Sequence, residues 1–170
     1  MRWRFEHPLD APVDVLIDVA LDDATLTEVP RYMPLVASAT RVSREALDGG
    51  RVRVVDRYEP AFDPPRFARG VTREMLGWDL TLTWNLSTRA ADFVIDPHVP
   101  PQWKRYADIR GVYRIEPRGD RSARVMEGTL DLRIPMLGPI AERFALRELE
   151  GQFEGEARLL GARARDRSTS

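Results

Sequence analysis

In the stretch MLGWDLTLTWNLS, residues 75–87, a large apolar side chain occupies every second position from Leu76 to Leu86. The positions between them carry glycine, aspartate, threonine and asparagine. A helix cannot place these apolar side chains together, because residues two apart point about 200° apart around its axis. An extended strand places all of them on one face. The stretch therefore predicts a β-strand with one buried face.

The same alternation recurs along most of the chain and predicts an antiparallel sheet of about seven strands. Asp48-Gly49-Gly50 separates two alternating segments, and glycine there permits the positive φ angles that a tight hairpin turn requires. Besides the strand within residues 75–87, strands are predicted at residues 2–9, 36–47, 51–59, 91–95, 108–116 and 124–134.

Helical spacing of apolar residues is found at the two ends of this strand region. One or two short helices are predicted after the first strand, where Pro12 suits the first turn of a helix. A long C-terminal helix is predicted at residues 139–160, with two apolar faces roughly 150° apart. A sheet that curves around this helix would cover both faces. Gly151 and Gly155 are predicted to allow close packing or a bend in this helix. The charged residues predicted to face solvent are Glu142, Arg143, Arg147, Glu148, Glu150, Glu154 and Arg158.

The length and composition indicate one folded domain. The chain has 170 residues, of which residues 1–160 are predicted to form the domain and residues 161–170 a disordered polar tail. With 26 basic and 27 acidic residues the formal net charge is −1, which argues against a general nucleic-acid binder. There is no cysteine, and no run approaches the roughly 18 apolar residues of a membrane span. A cytoplasmic protein without stable membrane insertion is therefore predicted.

The order of these elements resembles the helix-grip fold of the START-like, or SRPBCC, superfamily. Lipid-transfer START domains, pollen-allergen-type proteins and polyketide cyclases belong to that group. Residues 5–16, FEHPLDAPVDVL, are similar to the opening strand of the superfamily and its proline step into the first helix. Residues 134–142, IPMLGPIAE, resemble the strand-to-helix junction of a bacterial START-like family of unknown function, and residues 65–84 are similar to that family as well.

This resemblance implies an α+β fold in which a curved antiparallel sheet wraps on the long C-terminal helix. It also implies a hydrophobic cavity between the sheet and that helix. It implies no particular reaction and supplies no catalytic residues.

Signatures of common enzyme and cofactor sites are missing from the sequence. It contains no G-x-G-x-x-G, no G-x-x-x-x-G-K and no G-x-S-x-G motif, so dinucleotide, P-loop and serine-nucleophile sites are not indicated. The two histidines are far apart and no cysteine is present, which argues against a zinc site. We therefore expect no metal and no cofactor.

Candidate cavity residues follow from the strand alternation and from the apolar residues at the start of the long helix. Together they form a predicted ligand-binding set: His7, Asp56, Tyr58, Trp78, Leu80, Leu82, Trp84, Tyr113, Met126, Ile140 and Phe144.

The polar members of this set allow two interpretations each. A carboxylate on an apolar face is costly unless it is paired or protonated, so Asp56 either anchors a ligand or forms a structural salt bridge with an arginine. His7 is either a hydrogen-bonded buried histidine or a ligand contact or general base. Tyr58 and Tyr113 either place hydroxyls in the cavity or serve as amphipathic core residues.

Three functions are compatible with the sequence. The leading hypothesis is binding or carriage of a small hydrophobic ligand, a lipid or polyketide-like molecule. The second is a cyclase or dehydrase in which Asp56, His7 or a cavity tyrosine moves protons. The third is a protein-interaction module with a filled core and an active outer surface.

Overall fold

The structure, a computed structural model, describes residues 1–64, 70–133 and 138–168. The strands are β1 (Arg2–Leu9), β2 (Val36–Leu47), β3 (Arg51–Pro60), β4 (Trp78–Asn85), β5 (Ala90–Pro97), β6 (Ala107–Arg118) and β7 (Arg121–Leu132). The helices are α1 (Val13–Leu21), α2 (Asp23–Leu26), α3 (Val29–Tyr32), α4 (Pro101–Lys104) and α5 (Gly138–Ser168), with a 3₁₀ turn at Glu74–Leu76.

The strands of the described residues form one seven-stranded sheet in the order β1-β7-β6-β5-β4-β3-β2. Every neighbouring pair in the sheet is antiparallel. The sheet is curved and carries the long helix α5 on one face, which confirms the predicted α+β class and the predicted sheet of about seven strands.

The alternating stretch at residues 75–87 forms β4, as predicted. Leu80, Leu82 and Trp84 are buried, whereas the threonines between them are partly exposed. The prediction was too long at both ends, because Leu76 lies in the 3₁₀ turn before the strand and Leu86 follows the strand with 40% of its surface exposed.

A pair of glycines lets β6 and β7 come close together beneath the core. Gly111 and Gly128 lie directly opposite each other. A Cβ atom at Gly111 would lie 2.1 Å from the Glu127 carbonyl oxygen, and one at Gly128 would lie 3.0 Å from the Trp3 ring. The absence of side chains here leaves room for the rings of Trp3 and Phe93, which pack 5.9 Å apart.

Helix α5 is longer than the sequence predicts. Its 31 residues span about 46 Å. The predicted disordered tail at residues 161–170 is wrong as far as Ser168, because α5 continues to that residue, Ala164 is fully buried, and Arg163 and Arg167 form ion pairs with acidic residues at the ends of the N-terminal helices. Arg163 and Arg167 both bind the Asp22 carboxylate, at 3.3 and 2.5 Å. Polarity in this segment therefore reflects ion pairing rather than disorder.

One glycine of α5 lies where the helix meets α3. A Cβ atom at Gly155 would lie 2.5 Å from the Tyr32 carbonyl oxygen, so the predicted close packing at Gly155 is confirmed. Gly151, one turn earlier, is exposed and has no neighbouring atom within 4 Å of such a Cβ position.

Candidate functional site

A cavity of about 510 Å³ lies between the sheet and α5. Strands β3 to β6 form one wall, α5 forms the other, and the segments around α3 and the 3₁₀ turn close one end. Its lining is mostly apolar and includes Met33, Leu76, Leu80, Ile95, Ile109, Ala145 and Leu149. The cavity implied by the family resemblance is therefore present.

Two aromatic side chains of the predicted set line this cavity as a stacked pair. Tyr58 of β3 and Trp78 of β4 face each other across the two strands, with ring centroids 5.2 Å apart and planes 6° from parallel. Burial raises the pKa of Tyr58 well above its usual value, so this hydroxyl stays protonated. The pair provides a flat aromatic wall with one neutral hydroxyl.

Further along β4, the same strand face leaves the cavity and enters the packed core. Leu80 lines the cavity, but Leu82 and Trp84 do not. Trp84 is fully buried and meets the Tyr113 ring edge-on, with centroids 5.0 Å apart. Leu82, Trp84 and Tyr113 are therefore core residues rather than cavity residues.

The centre of this core holds a fully buried arginine, Arg124, which was not among the site residues predicted from the sequence. Arg124 of β7 donates hydrogen bonds to the Glu156 carboxylate, to the Phe153 carbonyl oxygen at 2.5 Å and to the Met126 sulfur at 2.9 Å. Its guanidinium carbon lies 4.9 Å from the centre of the Tyr113 ring. Arg124 shares a strand face with Met126, so the alternation of β7 contained the signal.

This arrangement accounts for Met126 and Tyr113. The Met126 sulfur accepts a hydrogen bond from Arg124 in the core, away from the cavity lining. The Tyr113 hydroxyl is buried with no hydrogen-bond partner among the described residues, and burial raises its pKa. Neither side chain offers a polar group to the cavity.

Asp56 is held in a structural ion pair. Its carboxylate accepts hydrogen bonds from Nε and Nη2 of Arg41 on the adjacent strand β2. Arg41 also donates to the Leu21 carbonyl oxygen and to Asp23 Oδ1, at 3.1 and 2.9 Å. Burial raises the pKa of Asp56, and the Arg41 hydrogen bond opposes that shift. Asp56 therefore ties the sheet to the N-terminal helices and does not line the cavity.

His7 lies on the helix-covered face of β1, beside Phe5 but outside the cavity lining. Its Nδ1 atom is buried without a hydrogen-bond partner in the described structure. Burial and the nearby charge of Arg124 lower the pKa of His7. The side chains of Ile140 and Phe144, the last two predicted members, lie outside the described residues.

Apart from Tyr58, the polar residues that line the described part of the cavity come from α5. Glu148, Gln152 and Glu156 are spaced four residues apart, so they form one stripe along the helix. Glu148, which was predicted to face solvent, is partly buried and lines the cavity beside the apolar residues Ala145 and Leu149. The four-residue spacing of these polar residues, beside the apolar residues Ala145 and Leu149, is a sequence signal from which the stripe could have been found.

Other kinds of site receive no support in the part of the chain that the structure describes. No group of three or more histidine, cysteine or acidic side chains there is arranged to hold a metal ion. No helix of that part is long and apolar enough to cross a membrane.

Several solved structures of similar shape have sequences that differ widely from this one. A protein from Thermus thermophilus, TTHA0849, superposes with a TM-score of 0.69 at 19% identity and 99% coverage of both chains. The Zhui aromatase/cyclase from Streptomyces sp. R1128 gives 0.67 at 14% identity, covering 99% of this chain and 95% of its own. Norcoclaurine synthase from Thalictrum flavum gives 0.63 at 13% identity, with 95% and 84% covered.

At these identities the likeness establishes the fold, which is the START-like helix-grip fold that the sequence resembles. No curated protein matches the sequence significantly. A family of known sequence pattern does match, over residues 3–162, and its description is "Protein of unknown function (DUF2505)". Because this match spans most of the 170 residues, the chain belongs to the DUF2505 family.

Proposed function

We propose that this protein binds a small hydrophobic molecule, such as a lipid or a polyketide-like compound, in the cavity between the sheet and α5. The observation that carries the proposal is the cavity itself, about 510 Å³ of space with a mostly apolar lining. Cavities that bind small molecules typically measure about 300–1,000 Å³ and are lined mainly by apolar side chains with few polar groups.

Close packing elsewhere in the molecule supports this proposal. Protein interiors normally contain few voids larger than a water molecule. The part of the interior around Trp84 and Arg124, between the sheet and α5, is closely packed in the same way. A protein-interaction module with a filled core would not need the space that lies around Trp78. Phe62 lines the cavity and is 41% exposed, which gives a ligand a route from solvent.

A second candidate function is catalysis on a ligand bound in the same cavity. The fold likeness to an aromatase/cyclase favours it. The polar lining residues available to act are Tyr58, Glu148, Gln152 and Glu156. Asp56, His7 and Tyr113, the groups from which the sequence suggested proton transfer, lie outside the cavity lining. A catalytic role would therefore rest on α5 and Tyr58 and would appear as chemical conversion of the bound molecule.

Native mass spectrometry of the protein purified from its own cells tests the proposal directly. We expect a co-purified hydrophobic molecule in near-stoichiometric amount, which organic extraction would release for identification. If the purified protein is free of ligand, binding of the uncharged fluorophore N-phenylnaphthylamine provides the second test. Absence of both a co-purified molecule and fluorophore binding would overturn the proposal.

A cavity-filling variant distinguishes this cavity from other apolar surfaces. Ala145→Phe places a ring in the space beside Leu149, so we expect a folded protein that has lost fluorophore binding. Gly151→Ala on the same helix is the matched control, because its added methyl group meets no atom within 4 Å. Unchanged binding in Ala145→Phe would show that the fluorophore binds elsewhere.

A further inference from the structure

The two walls of the cavity differ in polarity and charge. Its sheet wall is apolar and aromatic, whereas its helix wall carries the stripe of Glu148, Gln152 and Glu156. The described lining residues include no lysine, arginine or histidine. Among the described residues, the charged side chains that line the cavity are therefore all acidic.

Only one of the two carboxylates in the stripe is neutralised. Glu156 receives a hydrogen bond from Arg124, which is buried behind it in the core. No ion pair in the described part of the chain involves Glu148. The stripe thus presents one unpaired carboxylate to a cavity whose described sheet wall is apolar and aromatic apart from the Tyr58 hydroxyl. A second anion there would be repelled, and a cation would be attracted.

Gln152 lies between the two carboxylates along α5, and its Oε1 atom is buried without a hydrogen-bond donor among the described residues. Because that atom has no surface open to the cavity, a ligand in the cavity meets the Glu148 carboxylate rather than the Gln152 oxygen.

From this distribution of charge we infer that the ligand is an apolar amine, with its ammonium group held by the Glu148 carboxylate. The inference rests on the proposed function, since it concerns the same cavity. The apolar part of the ligand lies against Leu80 and the Tyr58–Trp78 pair, and aromatic rings also attract cations. A fatty acid, which carries a carboxylate at its polar end, does not suit this cavity.

A matched ligand series tests the inference. Naphthylmethylamine, naphthylmethanol and naphthoic acid share one ring system and differ in their polar group, which is cationic, neutral or anionic at neutral pH. Each would be used to displace N-phenylnaphthylamine from the wild-type protein at low salt. We expect the amine to bind about tenfold more tightly than the alcohol, as hydrogen bonds to charged groups permit, and the acid to bind most weakly.

Two glutamate variants assign the preference to the stripe. Glu148→Gln keeps the size of the side chain and removes its charge, so we expect the amine to lose most of its advantage over the alcohol. Glu150→Gln is the matched control, since Glu150 is an exposed glutamate on the same helix and should leave the preference unchanged.

The outcomes separate this inference from the proposed function. Equal affinities for amine and alcohol, or tighter binding of the acid, would overturn the inference while fluorophore binding leaves the proposed function standing. The same holds if Glu150→Gln reduces the preference as much as Glu148→Gln. If the fluorophore does not bind the wild-type protein at all, the proposed function fails and the inference fails with it.

Discussion

Trp78 and Trp84 lie on the same face of the same strand, yet they belong to different environments. They are six positions apart along the strand, a distance of about 20 Å. Trp78 is partly exposed, stacks on Tyr58 and lines the cavity, whereas Trp84 is fully buried against Tyr113. The alternation along β4 therefore predicts which face of the strand is buried. It does not predict whether that face borders a cavity or a closely packed core.

The difference between these two regions comes from the elements opposite the strand. Next to Trp84, the interior is occupied by the Tyr113 ring and by the Arg124 side chain, whose guanidinium carbon lies 4.9 Å from the centre of that ring. Near Trp78, α5 contributes the small Ala145 and the partly buried Leu149. The cavity therefore lies beside Ala145 and Leu149, whereas the Tyr113 ring and the Arg124 side chain fill the interior next to Trp84.

The two tryptophans should respond differently to truncation, and this is the largest effect we expect. Trp84→Ala removes a fully buried ring and should lower the free energy of unfolding by about 3–5 kcal/mol. Trp78→Ala removes a partly exposed ring and should cost only about 1–2 kcal/mol, mostly stacking and local burial. Urea denaturation of both variants measures the two losses.

Ligand binding provides the reciprocal readout. N-phenylnaphthylamine affinity should fall in Trp78→Ala and should persist in Trp84→Ala under conditions where that variant is folded. Equal stability losses at the two positions, with binding unaffected by either change, would contradict the division into a cavity end and a core end.

The next largest effect concerns the buried ion pair of the core end. Arg124→Met leaves the Glu156 carboxylate without its partner, and breaking one side of a buried pair typically costs about 3 kcal/mol or more. The double variant Arg124→Met/Glu156→Gln removes both charges and should recover at least half of that loss. Equilibrium unfolding of the single and double variants measures the recovery.

An exposed ion pair, between Arg57 and Asp79, is the control for this measurement. Arg57 binds the Asp79 carboxylate through two nitrogens at 2.9 and 3.0 Å, but its side chain is 45% exposed. Arg57→Met should therefore cost no more than about 1 kcal/mol. A comparable loss in Arg57→Met and Arg124→Met would show that burial does not set the strength of the Arg124–Glu156 pair.

A smaller effect is expected where α5 packs most tightly. In Gly155→Ala the added methyl group would lie 2.5 Å from the Tyr32 carbonyl oxygen, so the helix must shift at a cost of about 1–3 kcal/mol. Gly151→Ala adds the same group in open space and should stabilise the helix by up to about 1 kcal/mol. Opposite signs in thermal unfolding would confirm the close approach, and the same sign would contradict it.

These comparisons show which parts of the fold the sequence could predict. Residues such as Leu80 and Leu82 follow a strict period of two, so the strand and its buried face were predictable from local pattern. The end of α5 was not, because Arg163 and Arg167 have the composition of a polar tail until Asp22 is known to lie beside them. Long-range ion pairs of this kind leave no periodic trace in the sequence.

The candidate site could likewise be predicted from the sequence only in part. Tyr58, Trp78 and Leu80 were predicted as cavity residues and do line the cavity. Trp84 shares their alternation but belongs to the core, where the Tyr113 ring meets it edge-on. Glu148 was missed, because a charged residue on a helix usually faces solvent and only the position of the cavity shows otherwise.

The smallest expected effect tests whether His7 belongs to the core end or to the cavity. Burial and the Arg124 charge lower its pKa below the usual 6.5, so the unfolded chain binds a proton more readily than the folded one. The free energy of unfolding should therefore contain a contribution that is complete above pH 6.5 and is lost as the pH falls through the folded pKa. His7→Phe should lack this pH dependence.

NMR titration of the His7 ring measures the same quantity directly, with the urea-unfolded protein as the reference. Because His7 lies on β1 outside the cavity lining, saturating N-phenylnaphthylamine should leave its titration curve unchanged. A ligand-induced shift of that curve would place His7 within the binding site. It would also mean that the cavity reaches across the sheet to β1, so that the division between an open end and a packed end would no longer hold.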